Sequence, residues 1–130
     1  MNDVFGPSDV YGVNADFPAD ATILLHGQVL TGMKPTDGPN LKKASMPLVW
    51  IRDYKTPAGK TSQILATTIG AATDLRCEDL RRLFVNASYH LTGLEVPKSA
   101  DVTPIGDFEP SMFGFKTYKK GIKVDSHELH

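Results

Sequence analysis

Between Thr61 and Leu83 the chain reads TSQILATTIGAATDLRCEDLRRL. A β-rich run ends at Gly70 and a helical pattern begins a few residues later. The run Lys60–Ile69 places Gln63, Leu65, Thr67 and Ile69 on one face and Ile64, Ala66 and Thr68 on the other. Neither face is strongly polar, which predicts a strand covered on both sides. Downstream, Leu80, Leu83, Phe84, Ala87, Leu91 and Leu94 recur at helical spacing, which predicts a helix with one apolar stripe. Glu78 and Asp79 suit its first turn, where the helix dipole favours negative charge. Gly93 suits its end. Arg81 and Arg82 fall off the stripe and are expected to face solvent.

Working outward, PLVWIRDY (Pro47–Tyr54) is a strand joined to Lys60–Ile69 by the short turn KTPAGK, an antiparallel hairpin. ATILLHGQVL (Ala21–Leu30) is a further strand, followed by the loop TGMKPTDGPNLKKAS. The first twenty residues read as an irregular lead-in around Gly6-Pro7-Ser8 and Phe17-Pro18. After Leu94 periodicity is lost, and the tail mixes proline, glycine, aromatics and lysine. Residues 1–95 are therefore read as a domain and 96–130 as an irregular extension.

The 130 residues fit one domain, 41% of them hydrophobic and 22% charged. A formal net charge of −1 supplies no field that would draw the chain to nucleic acid. Lys116, Lys119, Lys120 and Lys123 interleave with Phe113, Phe115 and Tyr118, but they read as a solvated tail with aromatic anchors rather than as a nucleic-acid strip. Cys77 is the sole cysteine, so an intramolecular disulfide is impossible. No apolar run is long enough to span a membrane. The segment MNDVFGPSDVYGV has no signal-peptide pattern, which makes a cytoplasmic location the default if Met1 is the true start.

Three strands and one helix leave the second face of Lys60–Ile69 without an obvious cover. In that setting, the order GPSDVYGV, ATILLHGQVL, MPLVWIRDY, GKTSQILATTIG and DLRRLFVNASYHLTGLE resembles the C-terminal part of a ThuA-like domain. That is the trehalose-utilisation family of the class I glutamine amidotransferase-like superfamily. The closest part is Pro47–Glu95. The tail, with Phe-Gly-Phe and Tyr-Lys-Lys-Gly, is similar to extensions on some members. The resemblance implies an α/β, flavodoxin-like fold, of which this chain carries the hairpin, the long amphipathic helix and the tail. The parallel strands and nucleophile turn of such a fold would precede Met1, so the expectation is an incomplete domain or a reduced descendant.

Catalytic chemistry is not visible. A phosphate-binding turn needs several glycines, and Gly70 stands alone with Asp74 close by to repel an anion. In the amidotransferases that the chain resembles, this region carries a histidine and a glutamate that serve a cysteine. Here the strand runs into Gly-Ala-Ala-Thr-Asp, and Cys77 lies at the start of the helix with no local base. The corner is expected to turn the chain, and no catalytic residue is assigned. His127-Glu128-Leu129-His130 has the wrong histidine spacing for a zinc-protease helix. His26 and His90 read as packed or half-exposed, and no metal site or cofactor is expected.

The candidate ligand cleft comprises Trp50, Arg52, Gly70 and Asp74, to which the layout implied by the resemblance adds Asp9 and Tyr11. Trp50, Arg52 and Tyr54 share one strand face and suit a sugar platform. The plainer reading, which is preferred, makes Trp50 core and pairs Arg52 with a carboxylate at the strand end. Two functions follow as expectations. One is a domain that binds or processes a sugar-like ligand without glutaminase activity. The other is a non-catalytic module that forms homo-oligomers because an exposed parallel edge needs cover.

Overall fold

Three strands, Thr22–Gly27 (β1), Met46–Lys55 (β2) and Thr61–Thr67 (β3), form one antiparallel sheet of order β1-β2-β3 in the computed structural model, which describes residues 4–112 and 120–127. Each strand is built around apolar and β-branched residues, which favour a pleated, half-buried surface. The β2–β3 turn closes through the Thr56 amide donating to the Lys60 carbonyl at 2.8 Å. One helix, Glu78–Leu91 (α1), packs against β3 after a short 3-10 turn at Asp74–Arg76. A second 3-10 turn spans Val124–His127. The architecture is a small mixed α/β fold.

Register assigns the two faces, since residues opposite one another in adjacent strands point the same way. Leu25–Val49–Thr67 and Ile51–Leu65 lie on the face toward the core, where Leu48, Val49, Ile69, Leu80 and Leu83 are buried together. Ile23–Trp50–Ala66, Arg52–Ile64 and Tyr54–Ser62 lie on the other. Leu48 and Val49 are consecutive yet both buried, which regular alternation forbids. The register shifts between Leu25 and His26, opposite this pair, and the irregularity turns both side chains inward.

α1 keeps the expected stripe, but its burial fades along the axis. Leu80 and Leu83 are buried, Phe84 is half-buried, and Leu91 is exposed. The helix closes at Gly93: the Leu94 amide donates to the Tyr89 carbonyl at 2.9 Å and the Gly93 amide to the His90 carbonyl at 3.1 Å. This Schellman arrangement is the stop that the glycine signals.

Several expectations require correction. Among the described residues the sheet is antiparallel throughout, so it presents no exposed parallel edge of the kind invoked for self-association. β3 is an outer strand with Ile64 exposed, and is not covered on both faces. Arg81 does not face solvent freely. Its Nε donates to the Val102 carbonyl at 2.8 Å, and its Nη1 donates to the Leu75 and Arg76 carbonyls at 2.7 and 3.0 Å. This ties the tail to the helix, and Ala100 and Val102 are buried there. Arg82 pairs with Glu78 and Asp79 one turn earlier. Hydrogen bonding to Glu78, foremost, raises its pKa above the ordinary arginine value.

The loop after β1 is also more ordered than its polarity suggests. Leu30 and Pro39 bridge across it, and the Gln28 side-chain amide donates to the Val29, Asn40 and Lys43 carbonyls. The aromatics Phe113, Phe115 and Tyr118, and Lys116 and Lys119, lie outside the described residues.

Candidate functional site

The corner after β3 is organised by one side chain. Asp74 has no solvent exposure, and its carboxylate accepts four hydrogen bonds. Oδ2 takes the Gly70 amide at 3.1 Å, the Ala71 amide at 2.9 Å and the Ser8 hydroxyl at 2.6 Å, while Oδ1 takes the Ser8 amide at 3.2 Å. All four partners are donors, which is the complement that carboxylate oxygens need. Gly70 has φ +140°, a backbone conformation that a side chain would strain, and this turns its amide inward. The corner therefore turns the chain and also grips the lead-in.

The grip depends on a second glycine. A Cβ on Gly6 would stand 2.8 Å from Asp74 Oδ1 and 2.8 Å from Ile69 Cδ1, closer than any real side chain sits. Gly6-Pro7-Ser8 thus lies flat on the corner. Val4 and Val10, on either side of it, pack against the apolar core. Val10 also approaches Gly27 at the end of β1, where an added Cβ would meet its Cγ1 at 3.0 Å.

Between this lead-in, the end of β1 and the following loop lies a cavity of about 910 Å³. Leu25, Leu48 and Ile69 contribute its apolar lining, and Asp9, His26 and Lys43 contribute polar groups. The side chains of these three have no hydrogen-bond partner among the described residues.

Trp50 and Arg52 lie on the opposite face of the sheet. Phe17 packs against Trp50 with ring centroids 5.1 Å apart and planes at 76°, an edge-to-face pair. Arg52 Nη2 bonds Asp20 Oδ2 at 3.0 Å. The lead-in thus supplies both an aromatic and a carboxylate to this face; Arg52 pairs with a carboxylate, but Trp50, expected in the core, lies on the face away from it. Tyr11 is exposed and does not line the cavity. The six proposed cleft residues consequently divide: Asp9 lines the cavity, Gly70 and Asp74 buttress its wall through Ser8, and Tyr11, Trp50 and Arg52 belong elsewhere.

No family model matches the chain, and neither a curated protein nor a solved structure is significantly similar to it.

Sequence reasoning missed Gly6, Ser8, His26 and Lys43 as parts of one site. The available signal was a carboxylate, Asp74, set in an apolar corner, and its neighbour Arg76 turns away to Glu109. Such a group needs donors from a distant segment. Cys77 is partly buried against the apolar core and stands at the α1 N-cap, where its side chain makes no capping hydrogen bond. Among the described residues no group of three or more His, Cys, Asp and Glu is arranged to hold a metal ion. None of the described helices is long and apolar enough to cross a membrane.

Proposed function

We propose that the chain is a ThuA-like domain of the class I glutamine amidotransferase-like superfamily, associated with carbohydrate utilisation and without glutaminase chemistry. Its sheet and helix would then correspond to the C-terminal part of a flavodoxin-like fold. The order of hairpin, Gly70 corner and α1 supports that reading, as does the lead-in bearing Gly6-Pro7-Ser8. The observation that carries the ligand-binding part is the open cavity. It combines an apolar lining with unpaired donors and acceptors, the mixture that suits a sugar. The absence of glutaminase chemistry rests on Cys77, whose thiol packs on the core and has no base set beside it in the sequence.

Isothermal titration of the purified chain with trehalose, maltose, glucose and glutamine tests the reading. Saturable binding of a saccharide, with no release of ammonia from glutamine, is the expected result. No binding of any saccharide would sink it.

A second reading, a self-associating module, draws on Tyr54 and Ile64. Both lie on the face away from the core, 47% and 39% exposed, at the hairpin end of the sheet. Sedimentation across a hundredfold concentration range separates a stable oligomer from a monomer.

A further inference from the structure

We infer that the saccharide of this reading sits in the cavity on the Asp9 side of the sheet, and that Asp74 is the positioning residue that fixes the cavity's wall. The inference rests on the carbohydrate reading and adds the size and charge of the ligand, the side chains that meet it and a residue that acts at a distance.

The cavity volume, about 910 Å³, lies in the range of roughly 300–1,000 Å³ in which proteins enclose small molecules. Its lining selects a chemical class. Leu25, Leu48 and Ile69 offer apolar surface to the C–H face of a ring. Asp9 accepts hydrogen bonds, Lys43 donates them, and His26 does either according to its tautomer. Hydroxyl groups, which both donate and accept, match such a set. Asp37 also lines the cavity, so two carboxylates stand against the one ammonium of Lys43, and the surplus negative charge disfavours a phosphate. The ligand class is an uncharged polyol of mono- or disaccharide size.

Residues 4–10 form one wall of this cavity, and no strand or helix holds them. Their polar anchor is the Asp74 carboxylate, which takes both the amide and the hydroxyl of Ser8. Ser8 and Asp9 are adjacent, so the clasp that fixes Ser8 also fixes where the Asp9 carboxylate stands. Asp74 has no exposure and does not line the cavity; it acts through Ser8.

Trp50, the only tryptophan in the chain, gives a test that separates the two faces. Trehalose and glucose are titrated into the full chain, followed by calorimetry and by tryptophan emission. In the expected result heat is released but Trp50 emission is unchanged, and Asp9→Asn and His26→Ala each weaken binding about tenfold. Ser8→Ala also weakens binding about tenfold, the factor of one hydrogen bond to a charged group. Ser8→Thr, which keeps the hydroxyl, restores it to within about threefold.

Amide hydrogen exchange in Ser8→Ala rises across Val4–Val10 while Leu80–Ala87 stays protected, which distinguishes a loosened wall from a damaged fold. Binding that shifts Trp50 emission and is lost in Arg52→Ala, but not in Asp9→Asn, moves the ligand to the other face. That result overturns this inference and leaves the carbohydrate reading standing. Unchanged affinity in Ser8→Ala removes the positioning role. Failure of the wild-type chain to bind either sugar overturns the site assignment along with the reading beneath it.

Discussion

The Ser8 hydroxyl donates to the buried carboxylate of Asp74 at 2.6 Å across sixty-six positions of sequence. The Ser8 amide reaches the other oxygen, so one residue of the lead-in occupies both sides of the carboxylate. Truncating Asp74 would strand the Gly70, Ala71 and Ser8 amides together, and each unsatisfied group costs about 1–3 kcal/mol. Asp74→Ala is expected to lower stability by at least about 3 kcal/mol in urea denaturation at neutral pH. A loss below about 1 kcal/mol would show that the clasp is absent in solution.

Burial along α1 sets a gradient of mutational cost. Leu80 has no exposure and Phe84 is half-buried. Leu80→Ala is expected to cost about 3–5 kcal/mol. Phe84→Ala should cost about 1–3 kcal/mol, below the range for a fully buried phenylalanine. Equal losses in the two denaturation curves would contradict this placement of the helix.

Glutamine hydrolysis should be undetectable, and Cys77→Ser should leave that baseline unchanged. The substitution brings an oxygen to the N-cap position, worth about 1 kcal/mol, and removes a partly buried thiol of similar value. The melting temperature should therefore move by only a few degrees. Ammonia release that vanished in Cys77→Ser would overturn the assignment of the thiol to the core.

Two truncations locate the end of the folded unit. Stopping after Pro97 removes Ala100 and Val102, both buried, and the carbonyl that Arg81 Nε grips. Stopping after Gly106 keeps them and removes Phe108 from the apolar groove that it lines with Leu75, Phe84 and Val85. The shorter chain is expected to lose about 2–4 kcal/mol and to bind a hydrophobic dye strongly, and the longer one to lose less than half as much. Identical behaviour of the two would place the boundary at residue 95 after all.

Acid should loosen the turn at residues 101–103 at an unusually low pH. The Thr103 amide donates to Asp101 Oδ1 at 3.0 Å, and this bond, with a further one from the Thr103 side chain, holds the Asp101 pKa below the ordinary 3.8. A depressed folded-state pKa means that the contribution is complete above the unfolded value and fades as pH falls through the folded one. An NMR titration should show an Asp101 midpoint below 3.8, with the Thr103 amide shift following the same curve. A midpoint above 3.8 would contradict the turn geometry.

The hairpin and the helix were legible because each announces itself over a local window: alternation and a Pro/Gly turn for β2–β3, apolar spacing for α1. Their limits shifted in both directions: β2 runs one residue further at each end than PLVWIRDY, and β3 stops at Thr67, although Ile69 beyond it is buried in the core. The site was legible only in part. Asp9, Gly70 and Asp74 were named, but the bond from Ser8 to Asp74 has no periodic signature. The family layout that placed Asp9 with Trp50 carried no information on which face of the sheet the lead-in crosses. Arg81 was misread because spacing tells how a residue faces its own helix and says nothing of a tail segment that returns twenty-one positions later.

The reach of the Ser8–Asp74 bond carries a consequence for how the chain assembles. The β2–β3 ladder and α1 close over short loops, so their contacts form early and cheaply in chain entropy. The lead-in must find a corner that exists only after Gly70–Asp74 has turned and α1 has docked on β3. Docking of residues 4–10 is therefore the late event in folding and the earliest to reverse. A chain caught between the two would have a formed sheet and helix while Val4, Val10 and the side of the core they cover still met water.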